Sequence, residues 1–193
     1  MIKDLLLNRC SVRRYFDKEI PGDIIDSIIE AGRLSPSGGN EQPWKFGIIT
    51  DRSLIGSISE AAYNQSWIKS APLLIVLCVT IVEDSRGGRN IQKHRFPTWS
   101  GEIESMDKEL YSCINMEEHQ TKIPGTHMVL QALEYGIHST WISYFDVEKI
   151  SSLLNLPELC IPSEIIAFGY AAEEIKPRPK KNTAEITFFN KYR

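Results

Sequence analysis

The sequence predicts one mixed domain in which buried strands are wrapped by amphipathic helices. Three observations carry this expectation. Residues 73–82, LLIVLCVTIV, form a continuous apolar run, the pattern of a strand covered on both faces and too short to span a bilayer. Residues 21–34 place Ile24, Ile25, Ile28 and Ile29 at helical spacing, with Asp23, Asp26 and Glu30 on the opposite side. The length of 193 residues, with 42% hydrophobic and 24% charged side chains, suits one ordinary globular domain with a substantial core.

Charge and cysteine usage narrow the class of partner. Lys+Arg number 22 against 25 Asp+Glu, a net charge of −3, which suggests neither a general nucleic-acid partner nor a membrane partner. Cys10, Cys78, Cys113 and Cys160 are widely spaced with no CxxC pair, the pattern of reduced thiols in a cytoplasmic protein. The start, MIKDLLLNRC, has a short apolar run and no small-residue cleavage site, so no signal peptide is expected.

Along the chain, residues 4–8 predict a short helix with Leu5, Leu6 and Leu7 partly buried. Residues 9–16, RCSVRRYF, follow. Side chains alternate in an extended segment, so Arg9, Ser11 and Arg13 would share one face. Two guanidiniums and a hydroxyl on one side can grip a phosphate, although three arginines taken alone more often form a solvated basic face.

Pro21 is acceptable in the first turn of the 21–34 helix. It leads into residues 35–46, SPSGGNEQPWKF, where Pro36, Gly38, Gly39 and Pro43 argue against a helix or a paired strand. Asn40, Gln42 and Trp44 crowd the same turn, which reads either as a binding loop or as a simple connection. A strand is expected at 46–49, a helix at 53–63 and the buried strand at 73–82.

Residues 84–125 are the least regular stretch, with Gly87, Gly88, Pro97 and Gly101 in the first half and room for one charged helix over 102–120. Long irregular inserts often serve as lids or specificity elements, and Phe96, Trp99 and Tyr111 read equally as pocket-wall aromatics or as surface packing. A helix at 127–135 carries Val129, Leu130 and Leu133 and closes at Gly136. Residues 139–145 read as a strand, Asp146 as the cap of a helix to 154, and 164–170 as another central strand. KPRPKK, 176–181, is a stiff basic linker, and the period-two apolar residues of 185–193 suit an added edge strand, on this chain or a partner.

Several motifs are missing. No GxGxxG opens a helix after a strand, no GxxxxGK[ST] occurs, and no G-x-S-x-G elbow is present. His94, His119, His127 and His138 lack metal-ligand spacing. No catalytic dyad and no metal site is expected.

Four separated pieces, RCSVRRY, SPSGGNEQPWKF, GIHSTWISYFD and GY…KPRPKKN, resemble in order and spacing the FMN-dependent nitroreductases. The resemblance covers nearly the whole chain apart from 84–125. It implies an α+β fold with a central, mostly antiparallel sheet surrounded by helices. It also implies a single FMN-binding domain over 1–193 with a variable insert at about 84–125, and an intertwined homodimer with FMN at the subunit interface.

The same resemblance implies site residues. Arg9, Ser11 and Arg13 would grip the phosphate and ribityl chain, with Cys10 contributing backbone. Lys180, with Arg178 or Lys181, would complete the phosphate site. Pro36, Ser37, Gly38 and Asn40 would reach the flavin bound mainly by the other subunit. Asn64 would lie at the ring edge, and Ile142, Ser143 and Tyr144 match a strand end whose backbone approaches the ring.

The chain departs from the family pattern in three places. Cys10 stands where arginine or histidine is common, HSTWISYF replaces GTCWIGGF, and Lys180 replaces a frequent arginine, keeping the charge without the bidentate fork. The implied activity is ping-pong electron transfer from NADH or NADPH to nitroaromatics, quinones or similar small acceptors. A flavin storage or sensor protein, and a dehalogenase or dehydrogenase on the same scaffold, are the alternatives.

Overall fold

The apolar run at 73 forms the spine of a four-stranded antiparallel sheet. The computed structural model describes residues 2–80, 88–107, 111, 117–176 and 178–192. Strands β1 (Trp44–Ile49), β2 (Leu73–Thr80), β3 (His138–Ile142) and β4 (Cys160–Gly169) lie in the order β1-β2-β4-β3. Each ladder is antiparallel: Trp44 faces Val79, Leu73 faces Phe168, and His138 faces Gly169.

β2 is apolar on both sides because both faces of the sheet are covered. Leu74, Val76 and Cys78 join one core with Ile55 and Ile58 of α3 (Arg52–Ala61) and Ile150 of α7 (Val147–Leu153). Leu73, Ile75 and Leu77 join the other with Ile28 of α2 (Gly22–Arg33) and Met128, Val129 and Ala132 of α6 (Glu117–Glu134). Each fully buried leucine or isoleucine contributes roughly 1.5–3 kcal/mol of transfer free energy, so the alternation along one strand ties both helical layers to it. The fold is α+β, as expected, and among the described residues no helix is long and apolar enough to cross a membrane.

α6 differs from expectation. The helix expected at 127–135 begins at Glu117 and runs through Pro124 and Gly125, residues that disfavour a helix interior. A Cβ on Gly125 would come within 2.5 Å of Cη2 of Trp141 and 2.7 Å of Cδ1 of Leu77. The glycine is therefore where the helix backbone presses onto the sheet, and packing overrides local propensity.

The single charged helix expected at 102–120 is also replaced. α4 (Gly88–Arg95) is followed by α5 (Ser100–Ser105), which ends where Met106 turns extended; residues 108–110 and 112–116, Cys113 included, lie outside the described residues. The strand at 139–145 stops at Ile142, and the strand at 46–49 begins two residues earlier, at Trp44, so the end of the 35–46 stretch is paired strand after all. In α1 (Ile2–Asn8) Leu6 and Leu7 are exposed and only Leu5 is half-buried.

The edge strand expected at 185–193 does not form within the described residues. Asn182 and Glu185 make a reciprocal capping box that starts the short helix α8 (Thr183–Ile186), and Phe188, Phe189 and Tyr192 then stand exposed. Among the described residues the apolar alternation there pairs with no sheet edge.

Candidate functional site

The outer edge of β3 carries the N-terminal basic segment. Ser11 bridges Ser139 in parallel, the Val12 amide donates to the Ser139 carbonyl at 3.3 Å, and the Thr140 hydroxyl donates to the Val12 carbonyl at 2.5 Å. Extended backbone then sends alternate side chains to opposite sides. Cys10 and Val12 enter the core, while Ser11 and Arg13 are exposed and Arg9 is half-buried. The segment continues beside the residues after β4. The Phe16 amide donates to the Tyr170 carbonyl at 2.9 Å, the Ala172 amide to the Arg14 carbonyl at 2.8 Å, and Tyr15 bridges Ala171. The buried Tyr15 hydroxyl donates to the Ala167 carbonyl at 3.3 Å, and burial pushes its pKa up, so it stays a neutral anchor.

This pairing brings the two ends of the sequence together. A cleft of about 520 Å³ is lined by Arg9, Cys10, Ser11 and Arg13 from one end and by Glu173, Glu174, Lys176, Arg178 and Lys180 from the other. Lys181 is exposed and does not line it. With the Cys10 side chain in the core, what Cys10 offers the cleft is backbone. Glu174 pairs with Lys176 at 2.6 Å. Glu173 accepts the Arg13 amide at 2.6 Å and makes no ion pair among the described residues. Arg9, Arg13, Arg178 and Lys180 likewise have no ion-pair partner among the described residues; the Arg13 guanidinium lies 5.8 Å from the centre of the Trp67 ring. Four cations that share a cleft without a carboxylate partner repel one another, and a phosphate would relieve that repulsion.

The 35–46 loop lies elsewhere. Its tip is a 3-10 turn, Gly38–Asn40, with Gly39, Asn40 and Gln42 at φ of 57°, 58° and 51°. Such left-handed geometry suits glycine and asparagine and is held here by side chains. The Gln42 amide donates to the Ser37 hydroxyl at 2.8 Å and the Gly38 amide to Oε1 of Gln120 at 3.0 Å, while Ser35 Oγ and His127 Nδ1 are 2.7 Å apart. None of Pro36, Ser37, Gly38 and Asn40 lines the basic cleft of its own chain.

A third cluster gathers at the end of β3. Tyr63 and Asn64 leave α3 in left-handed conformation at φ 54° and 60°. The Gln65 carboxamide donates to the Ala62 and Tyr144 carbonyls at 3.0 and 2.9 Å, and the Tyr63 and Tyr144 rings stack with centroids 4.3 Å apart. Asn64 and Tyr144 thus lie close together. Ile142 is buried in the core, and the Ser143 hydroxyl donates to Glu164 at 2.5 Å; Glu164 is buried and also pairs with Lys122 at 3.2 Å. Cys78 and Cys160 are buried neighbours on β2 and β4. Burial pushes the Cys78 thiol up to about 12 and raises Cys160 as well, so neither supplies a thiolate at neutral pH. Among the described residues no cluster could hold a metal ion.

Of the aromatic candidates in the insert, Phe96 and Trp99 are exposed. Tyr111 faces Arg89, whose guanidinium lies 4.4 Å from the ring centre and donates to the carbonyls of Ile103, Glu104 and Met106 at 2.9, 3.0 and 2.7 Å. Glu173 went unnoticed in the sequence. Its two signals are weak ones, a carboxylate just after a strand and just before a basic linker.

The chain is similar to known proteins in sequence and in fold. Residues 6–110 match the model of the Nitroreductase family. An NADH dehydrogenase of Thermus thermophilus is 28% identical over 185 residues, covering 91% of this chain and 89% of that protein. The NADPH:FMN oxidoreductase of Vibrio harveyi, solved with NAD+, superposes with a TM-score of 0.78 at 20% identity, covering 100% of this chain and 78% of that one. An FMN-dependent nitroreductase of Clostridium difficile superposes with a TM-score of 0.74 at 23% identity, covering 97% and 98%.

Proposed function

We propose that this chain, which belongs to the nitroreductase family, is an FMN-dependent oxidoreductase that passes electrons from NADH or NADPH to small electron-poor acceptors such as nitroaromatics and quinones, in two half-reactions. The observation that carries this reading is the cleft where Arg9 and Arg13 meet Arg178 and Lys180, none of them with an ion-pair partner among the described residues. Guanidiniums, an ammonium and the Ser11 hydroxyl are the donor set a phosphate monoester needs, so the residues fit FMN. The relatives named for NADH, NADPH and FMN support the same cofactors.

When bound, FMN supplies the redox chemistry, and the protein supplies binding, orientation and electrostatics. Arg9, Ser11 and Arg13, with Cys10 backbone, hold the phosphate end with Lys180 and Arg178; Lys181 contributes long-range charge only. Asn64 and the Ile142–Ser143–Tyr144 segment orient the ring end, with Gln65 donating to the Tyr144 carbonyl and Glu164 accepting from the Ser143 hydroxyl. Pro36, Ser37, Gly38 and Asn40 serve the site of a second subunit, which accords with their absence from the cleft of their own chain. The exposed side chains of Ile186, Phe188, Phe189 and Tyr192 are apolar surface that a second copy would cover, which supports a homodimer.

The test is anaerobic. NADH or NADPH added to the yellow holoprotein should bleach the flavin absorbance, and a quinone added next should restore it. If neither nucleotide bleaches the flavin, the chain stores or senses flavin and the reductase reading fails.

A further inference from the structure

Glu173 stands in the basic cleft beside cations that it does not neutralise. The backbone ladder between residues 14–16 and 170–172 is closed by hydrogen bonds from Phe16 to Tyr170 and from Ala172 to Arg14. One step further along, the Glu173 side chain takes over, and its Oε1 accepts the Arg13 amide at 2.6 Å. The carboxylate therefore continues the ladder by one rung, at the point where the N-terminal segment and the C-terminal linker diverge to line the cleft. A carboxylate placed for charge would sit on a guanidinium within ion-pair distance, as Glu30 does on Arg33 at 2.6 Å; Glu173 sits on a backbone amide instead.

We infer that Glu173 is a positioning residue for the anion site. It pins Arg13 to the segment that delivers Arg178 and Lys180, so that cations from both ends of the chain face one phosphate. The inference rests on the cleft being the phosphate site of FMN. Its opposite is that the carboxylate competes with phosphate for the same donors. The two differ in what removing the charge does, because glutamine keeps the acceptor oxygen and loses only the charge.

The experiment compares FMN with riboflavin, which has the same ring and ribityl chain without the phosphate. Affinities of the full chain, stripped of flavin, are measured for wild type, Glu173→Ala and Glu173→Gln. Wild type should bind FMN far more tightly than riboflavin. Glu173→Ala should weaken FMN about tenfold and leave riboflavin within about twofold, the range expected for one lost charge-assisted hydrogen bond. Glu173→Gln should keep wild-type FMN affinity or exceed it.

Tighter FMN binding by both variants would show a competitor and overturn the inference. Equal weakening of FMN and riboflavin by Glu173→Ala would show a merely structural role and overturn it as well. If wild type binds FMN and riboflavin alike, the cleft is not the phosphate site, and it is the underlying assignment that falls.

Discussion

Arginine does two different jobs in this chain. Arg89, in the first turn of α4, spends its guanidinium on three carbonyls in and just after α5 and on the Tyr111 ring, all of them protein groups. Arg9, Arg13 and Arg178 gather with Lys180 in a cleft where, among the described residues, none of them reaches a carboxylate. The first arrangement is internally satisfied and holds two helices together. The second concentrates positive charge that Glu173 and Glu174 in the same cleft offset only in part, which costs folding free energy unless an anion offsets the rest. Saturation of donors separates an arginine that builds the fold from one left free to take the proposed ligand.

The largest expected effect is on Arg13. Arg13→Ala should weaken FMN retention on dialysis by about 1.5–3 kcal/mol with little change in melting temperature, because the lost bond is to the ligand. Retention equal to wild type would place the phosphate elsewhere. Arg89→Ala should do the reverse, lowering the melting temperature through the loss of hydrogen bonds to three carbonyls, about 1–2 kcal/mol in a partly exposed setting, while FMN affinity is unchanged. A drop in FMN affinity there would erase the distinction between the two sites.

Salt sharpens the contrast further. Raising ionic strength from about 0.05 to 0.5 M shortens the Debye length severalfold, so FMN affinity should fall by about an order of magnitude, while the Arg89→Ala melting difference moves little. The smallest effect concerns His138 on β3, whose Nδ1 is buried without a partner among the described residues and whose pKa is lowered by burial. The unfolded chain then binds a proton more readily than the folded one, so this contribution is complete above the ordinary histidine value near 6.5 and is lost as pH falls below it. Melting curves at pH 7.5 and 5.5 should show a smaller difference for His138→Phe than for wild type.

What the sequence disclosed follows from where physics is local. The run at 73 and the helix containing Ile28 are legible because burial imposes periodicity on the side chains themselves. Arg9, Ser11 and Arg13 are legible for the same reason, since Cys10 and Val12 between them point inward. α6 is misread because Pro124 and Gly125 break helices in isolation, whereas here the close approach to Trp141 and Leu77 decides. The tail is misread because its alternation suggests pairing, although Asn182 and Glu185 carried the capping signal all along. Glu173 is illegible, since its partner lies 160 residues away and only the fold brings them together.

The central claim is that the two ends of the chain act on one anion. A double-mutant cycle tests it directly, measuring FMN affinity for wild type, Arg13→Ala, Lys180→Ala and the double variant. If both side chains share one phosphate, the double variant should differ from the sum of the singles by at least about 0.5 kcal/mol. Strict additivity, or no effect of Lys180→Ala, would contradict a single composite site.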